Sequence, residues 1–277
     1  MKKANAAPLR ALTECSIMIA LATVLSVIKI IDLPYGGSVT MASALPIAIA
    51  VYRHGWRWGL GVTVTNAVLQ LLLGLENFSY VSGWKSMIAL AIFDYILAFV
   101  VFALAAAFKN KIKSQSVAMA LGVTLASFLR YLCHVISGAA IWAECELAVP
   151  NGAAVVYSLS YNATYMIPET VILALAAAYT FSALDFRKKV PTRVKSETAD
   201  RVAAYSYLAA GLVVLGALIT DTALVFSKLQ DAETGERAFG NIGAVNFTAL
   251  ISVTAACAAV AAVLITVAKL RERRTAE

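Results

Sequence analysis

The sequence predicts an all-α polytopic membrane protein. Three observations carry this: 61% of its 277 residues are hydrophobic, only 14% are charged, and the mean hydropathy is +0.78. That much apolar surface cannot be hidden inside a soluble domain of this size. It is gathered into runs of roughly 20 residues, the length a helix needs to cross about 30 Å of hydrocarbon. Strands of a membrane β-barrel alternate apolar with polar residues, whereas these runs are apolar all round.

The first run, 11–31, follows MKK and could be mistaken for a signal peptide. It is too long, and no small-residue cleavage site follows, so it reads as a retained first helix. A short run at 40–52 precedes 58–75, and the fourth covers 86–108, SMIALAIFDYILAFVVFALAAAF, with one carboxylate at Asp94. Runs at 116–143 and 155–183 complete six. A charged segment, DFRKKVPTRVKSETADR at 185–201, then marks a boundary, and two more runs follow at 201–227 and 244–269. The expected organisation is a six-helix domain over 1–186, a linker over 187–200 and a two-helix extension with a basic tail over 201–277. The four cysteines, Cys15, Cys133, Cys145 and Cys257, have no ligand or disulfide spacing and read as packing residues.

Charge fixes an orientation. If eight runs alternate, 18 of the 23 Lys and Arg fall on one side, and the other side keeps Lys29, Lys85, Lys228 and Arg237. By the positive-inside rule both termini are cytoplasmic. The net charge of +7 is then accounted for by the bilayer and implies no nucleic-acid partner. Omitting the short second run would scramble the alternation, so it counts as a span.

A carboxylate inside a spanning helix costs roughly 2.5 kcal/mol or more, so it marks a site or a partnered pair. At 1.5 Å per residue, Asp94 lies about 10 Å below the outer surface and His134 about 12 Å below it. Tyr157 and Asn162 fall in the first two turns of the sixth run, and Trp142 closes the fifth. Taken singly, Trp142 and Tyr157 fit an interfacial aromatic belt, Asn162 fits interhelical glue, and His134 fits a satisfied core histidine. Their common depth predicts a pocket open to the outside. Arg130 and Glu169 fall near mid-membrane, about 18 Å down, and are expected to form a structural ion pair, since each buried charge needs a partner.

The stretches LPYGGSVTMASALPI (33–47), FDYILAF (93–99), FLRYLCHVISGAAIW (128–142) and YSLSYNATYMIPE (157–169) resemble, in order and spacing, the thiamine-specific S components of bacterial energy-coupling factor (ECF) transporters. The resemblance covers residues 10–185. It implies a six-helix subunit that binds thiamine from outside, working with a coupling transmembrane subunit and two ATPase subunits. It implies substrate contacts at Asp94, Tyr95, His134, Trp142, Tyr157 and Asn162. It also implies a small-xxx-small packing face for the coupling subunit at Ser16 and Ala20. Some members carry glutamate at the Asp94 position. Some also have an acid after the first loop, where this chain has Thr40 and Met41, so no site is carried over there. The last two runs lie outside the six-helix pattern.

The chemistry suits a cationic vitamin: a carboxylate for charge, aromatic faces for the thiazolium, and an imidazole and an amide to orient the rings. No GxxxxGK[ST] loop occurs, so the chain itself does not hydrolyse ATP, and no cofactor is expected. A self-contained secondary transporter for a thiamine precursor or a related cationic heteroaromatic is the alternative. An intramembrane enzyme is disfavoured, because neither a second aspartate at matched depth nor an HExxH motif is present.

Overall fold

The computed structural model describes residues 6–33, 36–81, 83–144, 151–194, 201–229 and 245–276. Two compact units divide at the charged segment, Met1–Val194 and Lys195–Glu277. Among the described residues five helices are long and apolar enough to cross a membrane: Pro8–Val27, Trp84–Leu104, Gln115–Ala140, Ser158–Ala183 and Phe247–Arg271. The protein is a multi-pass helical membrane protein.

In the first unit, α1 (Ala6–Val27) leads into a two-stranded antiparallel ribbon, β1 (Lys29–Asp32) and β2 (Ser38–Thr40). Next comes α2 (Leu45–Leu73), which covers most of two expected runs, 40–52 and 58–75, and breaks once, at Gly55. Pro46 stands in its first turn, where a missing N–H costs nothing. The break is a reversal: a Cβ on Gly59 would meet Val51 at 3.2 Å, a contact impossible across eight residues of straight helix. Gly55 has φ 76° and ψ −173°, a region open essentially to glycine alone. Its Cβ position is open, with nothing within 4 Å, so Gly55→Ala is expected to cost about 2 kcal/mol from backbone strain only. Gly61→Ala, equally open but in regular helix, should leave the melting midpoint in detergent unchanged or raised. Equal midpoints for the two variants would sink this account.

The fourth span is not a regular helix. An α-helical turn, α3 (Trp84–Ala89), passes into a π-helical stretch (Leu90–Leu97), a single α turn, α4 (Ala98–Val100), and a 3-10 turn (Val101–Leu104). Widened π turns cluster at functional sites, and this one carries Asp94 and Tyr95. Helices α5 (Gln115–Glu144) and α6 (Asn151–Ala183) follow, and a short ribbon, β3 (Leu184–Asp185) with β4 (Thr192–Arg193), ends the unit. Pro168 lies inside α6, as membrane helices tolerate. The core gathers Ile47, Val51, Tyr52, Phe102, Met119, Val123, Leu173 and Phe181 from α2, the fourth span, α5 and α6.

The second unit is a pair of helices, α7 (Arg201–Leu229) and α8 (Phe247–Ala276). Within it Thr254 Oγ1 lies 2.6 Å from Asp221 Oδ2, so the intramembrane carboxylate of this unit is met by a hydroxyl. Among the described cysteines, Cys15, Cys133 and Cys257 are unpaired.

Candidate functional site

The first unit encloses a cavity of about 520 Å³, within the range of small-molecule sites. Its lining draws on the end of α1, the β1–β2 ribbon, the end of α2 with the following 3-10 turn (Leu75–Tyr80), the π-helical stretch, α5 and α6. Asp94, Tyr95, His134 and Asn162, four candidates from three different spans, all line it.

Asp94 and His134 meet directly, Oδ1 to Nδ1 at 2.8 Å. On the other side of the ring, Arg130 Nε donates to His134 Nε2 at 3.1 Å. A guanidinium can only donate, so Nε2 accepts, and the ring proton sits on Nδ1, where it donates to Asp94. The imidazole is thereby held in one tautomer, between a cation and a carboxylate. The Arg130 guanidinium also covers the ring of Phe99, 4.5 Å from its centroid, a contact worth about 0.5 to 2 kcal/mol. Asp94 keeps Oδ2 without a hydrogen bond to any described residue, turned to a cavity its side chain still reaches at 22% exposure.

Tyr95 is fixed from two sides. Its hydroxyl donates to Gly74 O at 3.0 Å and accepts from Asn77 Nδ2 at 2.7 Å. Phe78 stacks on its ring at 6.2 Å. Gly74 is required here, since a Cβ would stand 2.0 Å from the Tyr95 hydroxyl. Asn162 is equally committed: its amide nitrogen faces Ser158 O (2.9 Å) and Ser158 Oγ (3.1 Å), and its oxygen accepts from Tyr165 OH at 2.6 Å. The Tyr161 and Tyr165 rings pack edge to face at 5.6 Å, and Tyr161 OH accepts from Gly37 N at 3.1 Å. That bond fastens the β1–β2 ribbon over α6.

Two candidates, Trp142 and Tyr157, lie on α5 and α6, with side chains outside the described residues. Ser16 and Ala20 are both exposed on α1, in a stripe with Leu12, Ile17 and Val24. The expected Arg130–Glu169 ion pair does not close to a salt bridge among the described residues, although Arg130 is near enough to act on Glu169 through space. Glu169, 4% exposed, accepts instead from Thr40 N at 2.6 Å and Thr40 Oγ1 at 2.7 Å. Arg130 belongs to the cavity, with His134 and Phe99 as its partners. Matched depth had suggested the pair, but depth says nothing of the direction each side chain takes around its own helix.

The sequence reading also missed Glu76, Asn77, Gln70, Tyr161 and Tyr165, which line the same cavity. The lining holds two cations, Lys29 and Arg130, and two acids, Glu76 and Asp94. Lys29, however, is paired with Asp32 at 3.0 Å, a residue outside the lining. The balance left in the cavity is one negative charge, which favours a cationic occupant.

Comparison with known proteins gives the family. The family described as Thiamine transporter protein (Thia_YuaJ) matches residues 12–187. The chain belongs to that family. The thiamine transporter ThiT of Bacillus subtilis (strain 168) is 31% identical over 182 residues, covering 61% of this chain and 89% of that protein. The solved structure of ThiT from Listeria monocytogenes aligns with a TM-score of 0.50 at 21% identity, covering 63% of this chain and 94% of its own. It shows the shared fold. The family match ends at residue 187, so α7 and α8 stand beyond the part of the chain that the family accounts for.

Proposed function

We propose that this chain is the substrate-binding membrane subunit of an ECF-type vitamin transporter. It captures thiamine from outside the cell for uptake powered by partner ATPases, and is not itself an enzyme. The observation that carries the reading is the Arg130–His134–Asp94 chain at the wall of a cavity with a net negative charge. Thiamine brings a fixed positive charge and an aminopyrimidine with donors and acceptors. Asp94 Oδ2 is the free carboxylate oxygen for it, Tyr95, Tyr161 and Tyr165 offer ring faces, and the family resemblance adds Trp142 and Tyr157 to the proposed contacts. Asn162 and His134 orient the ligand through groups that the protein already holds rigid, which lowers the ordering cost of binding.

The concentration of Lys and Arg at one set of span ends supports a cytoplasmic position for both termini in a bacterial cell. Residues 1–186 form the capture domain, and 187–200 link it to an extension over 201–277. The exposed Ser16–Ala20 face of α1 receives the coupling transmembrane subunit, to which two ATPase subunits attach. The test is a thiamine titration of the purified chain, read by intrinsic tryptophan fluorescence. Saturable quenching supports capture. A folded protein that responds to neither thiamine nor its precursors refutes the ligand assignment, and uptake that persists without any ATPase subunit refutes the energising scheme.

A further inference from the structure

At the end of the first unit opposite the cavity, four segments are tied together by side chains that reach backbone carbonyls. Arg10 and Arg53 reach Lys189 O, Arg53 at 3.1 Å. Lys109 Nζ donates to Tyr52 O at 2.6 Å, and Arg187 donates to Lys113 O. Within 8–14, 52–58, 108–115 and 184–194 there are ten Lys and Arg against two carboxylates, Glu14 and Asp185.

Both carboxylates are already engaged. Glu14 takes Arg10 at 2.7 Å, Arg53 at 2.9 Å and His54 at 2.9 Å, and Asp185 Oδ1 accepts from the backbone N–H of Arg187 at 3.0 Å. Among the described residues the side chains of Lys109 and Arg187 therefore hydrogen-bond only to neutral carbonyl oxygens. Lys109 is also half-buried beneath the Tyr52 ring, 4.7 Å from its centroid. Burial, with Arg187 and Arg53 close by, lowers its ammonium below the ordinary lysine range. Like charges gathered without a counter-charge are destabilising, and an anion between them removes that cost.

We propose that this end of the protein binds an anionic phospholipid, its phosphate seated between Lys109 and Arg187. The same segments expose large apolar side chains: Trp56 at 67%, Val190 at 63% and, one turn up α6, Tyr179 at 69%. A diacyl lipid can cover those surfaces and a free phosphate cannot. Clustered Lys and Arg at the membrane surface attract anionic headgroups, and the guanidinium of Arg187 suits a phosphate in geometry as well as charge.

The experiment is native mass spectrometry of the full chain released from mixed micelles that contain phosphatidylglycerol and phosphatidylcholine with identical acyl chains. Wild type is expected to retain phosphatidylglycerol about tenfold over phosphatidylcholine. Lys109→Gln/Arg187→Gln should bring the ratio close to one, with helix content and melting midpoint as the check on folding. If the double variant fails to fold, Arg187→Gln alone, at an exposed position, should still lower the ratio about threefold. Equal retention of the two lipids by wild type, or an unchanged ratio in the folded variants, overturns the proposal. So does displacement of phosphatidylglycerol by millimolar inorganic phosphate, which would assign the cations to a soluble anion instead.

Discussion

Asp94→Asn is expected to weaken thiamine binding by about 2 kcal/mol, roughly thirtyfold in Kd, while leaving the fold intact. The two halves of that statement have separate causes. Asparagine retains an oxygen that can accept the proton of His134 Nδ1, so the 2.8 Å contact, and with it the bond to Arg130, survives. What disappears is the charge. The cavity then contains Arg130 and Glu76 in balance and loses the negative excess that favours a cation. The oxygen facing the ligand is replaced by an amide that donates. Glu76→Gln removes the same formal charge from an exposed position, where water screens it, and should weaken binding only a few-fold. Isothermal titration of both variants separates the contributions. If Asp94→Asn binds as wild type does and Glu76→Gln does not, the carboxylate that meets the ligand is at the cavity mouth, and the role given to Asp94 is wrong.

How much of this site was legible in the sequence follows from what a bilayer imposes. A helix that enters at a known surface fixes the depth of each residue along it, so Asp94, His134 and Asn162 could be placed at one level from chain order alone. Depth is a single coordinate. Rotation about each helix axis is set by packing, and here the reading failed: Glu169 turns toward Thr40 of the first ribbon, a partner in a connection, not in a span. A local clue for Arg130 did exist, because it precedes His134 by four residues and so shares its face. The π-helical stretch had no such signal. Its residues are apolar and helix-compatible on either side of Asp94, so the sequence pattern does not mark the widened turn. Glu76 and Asn77 were invisible for a different reason: they lie in a short turn between spans, where neither hydropathy nor periodicity distinguishes a residue facing the cavity from one facing water.

The largest stability loss is expected from Gly122→Ala. Residues Ala118, Gly122 and Ala126 are all buried along one face of α5, at the four-residue spacing that lets membrane helices approach closely. What they approach is the fourth span, where Ala98 and Ala105 are both 0% exposed. A Cβ on Gly122 would stand 1.8 Å from Ala105 O and 2.8 Å from Ala105 C. The obstacle is backbone, with no flexible side-chain end to yield, so the two elements must separate. Intrinsic propensity alone favours alanine by about 1 kcal/mol. Overpacking a tight contact costs about 3 kcal/mol, and the clash therefore decides the sign. Separation here also shifts the base on which Phe99, Tyr95 and Asp94 stand, so folded Gly122→Ala should bind thiamine more weakly although no ligand contact is altered. A melting midpoint at or above that of wild type would mean that α5 and the fourth span do not approach this closely in the membrane. A lowered midpoint with unchanged affinity would confine the strain to the helix contact and leave the cavity independent of it.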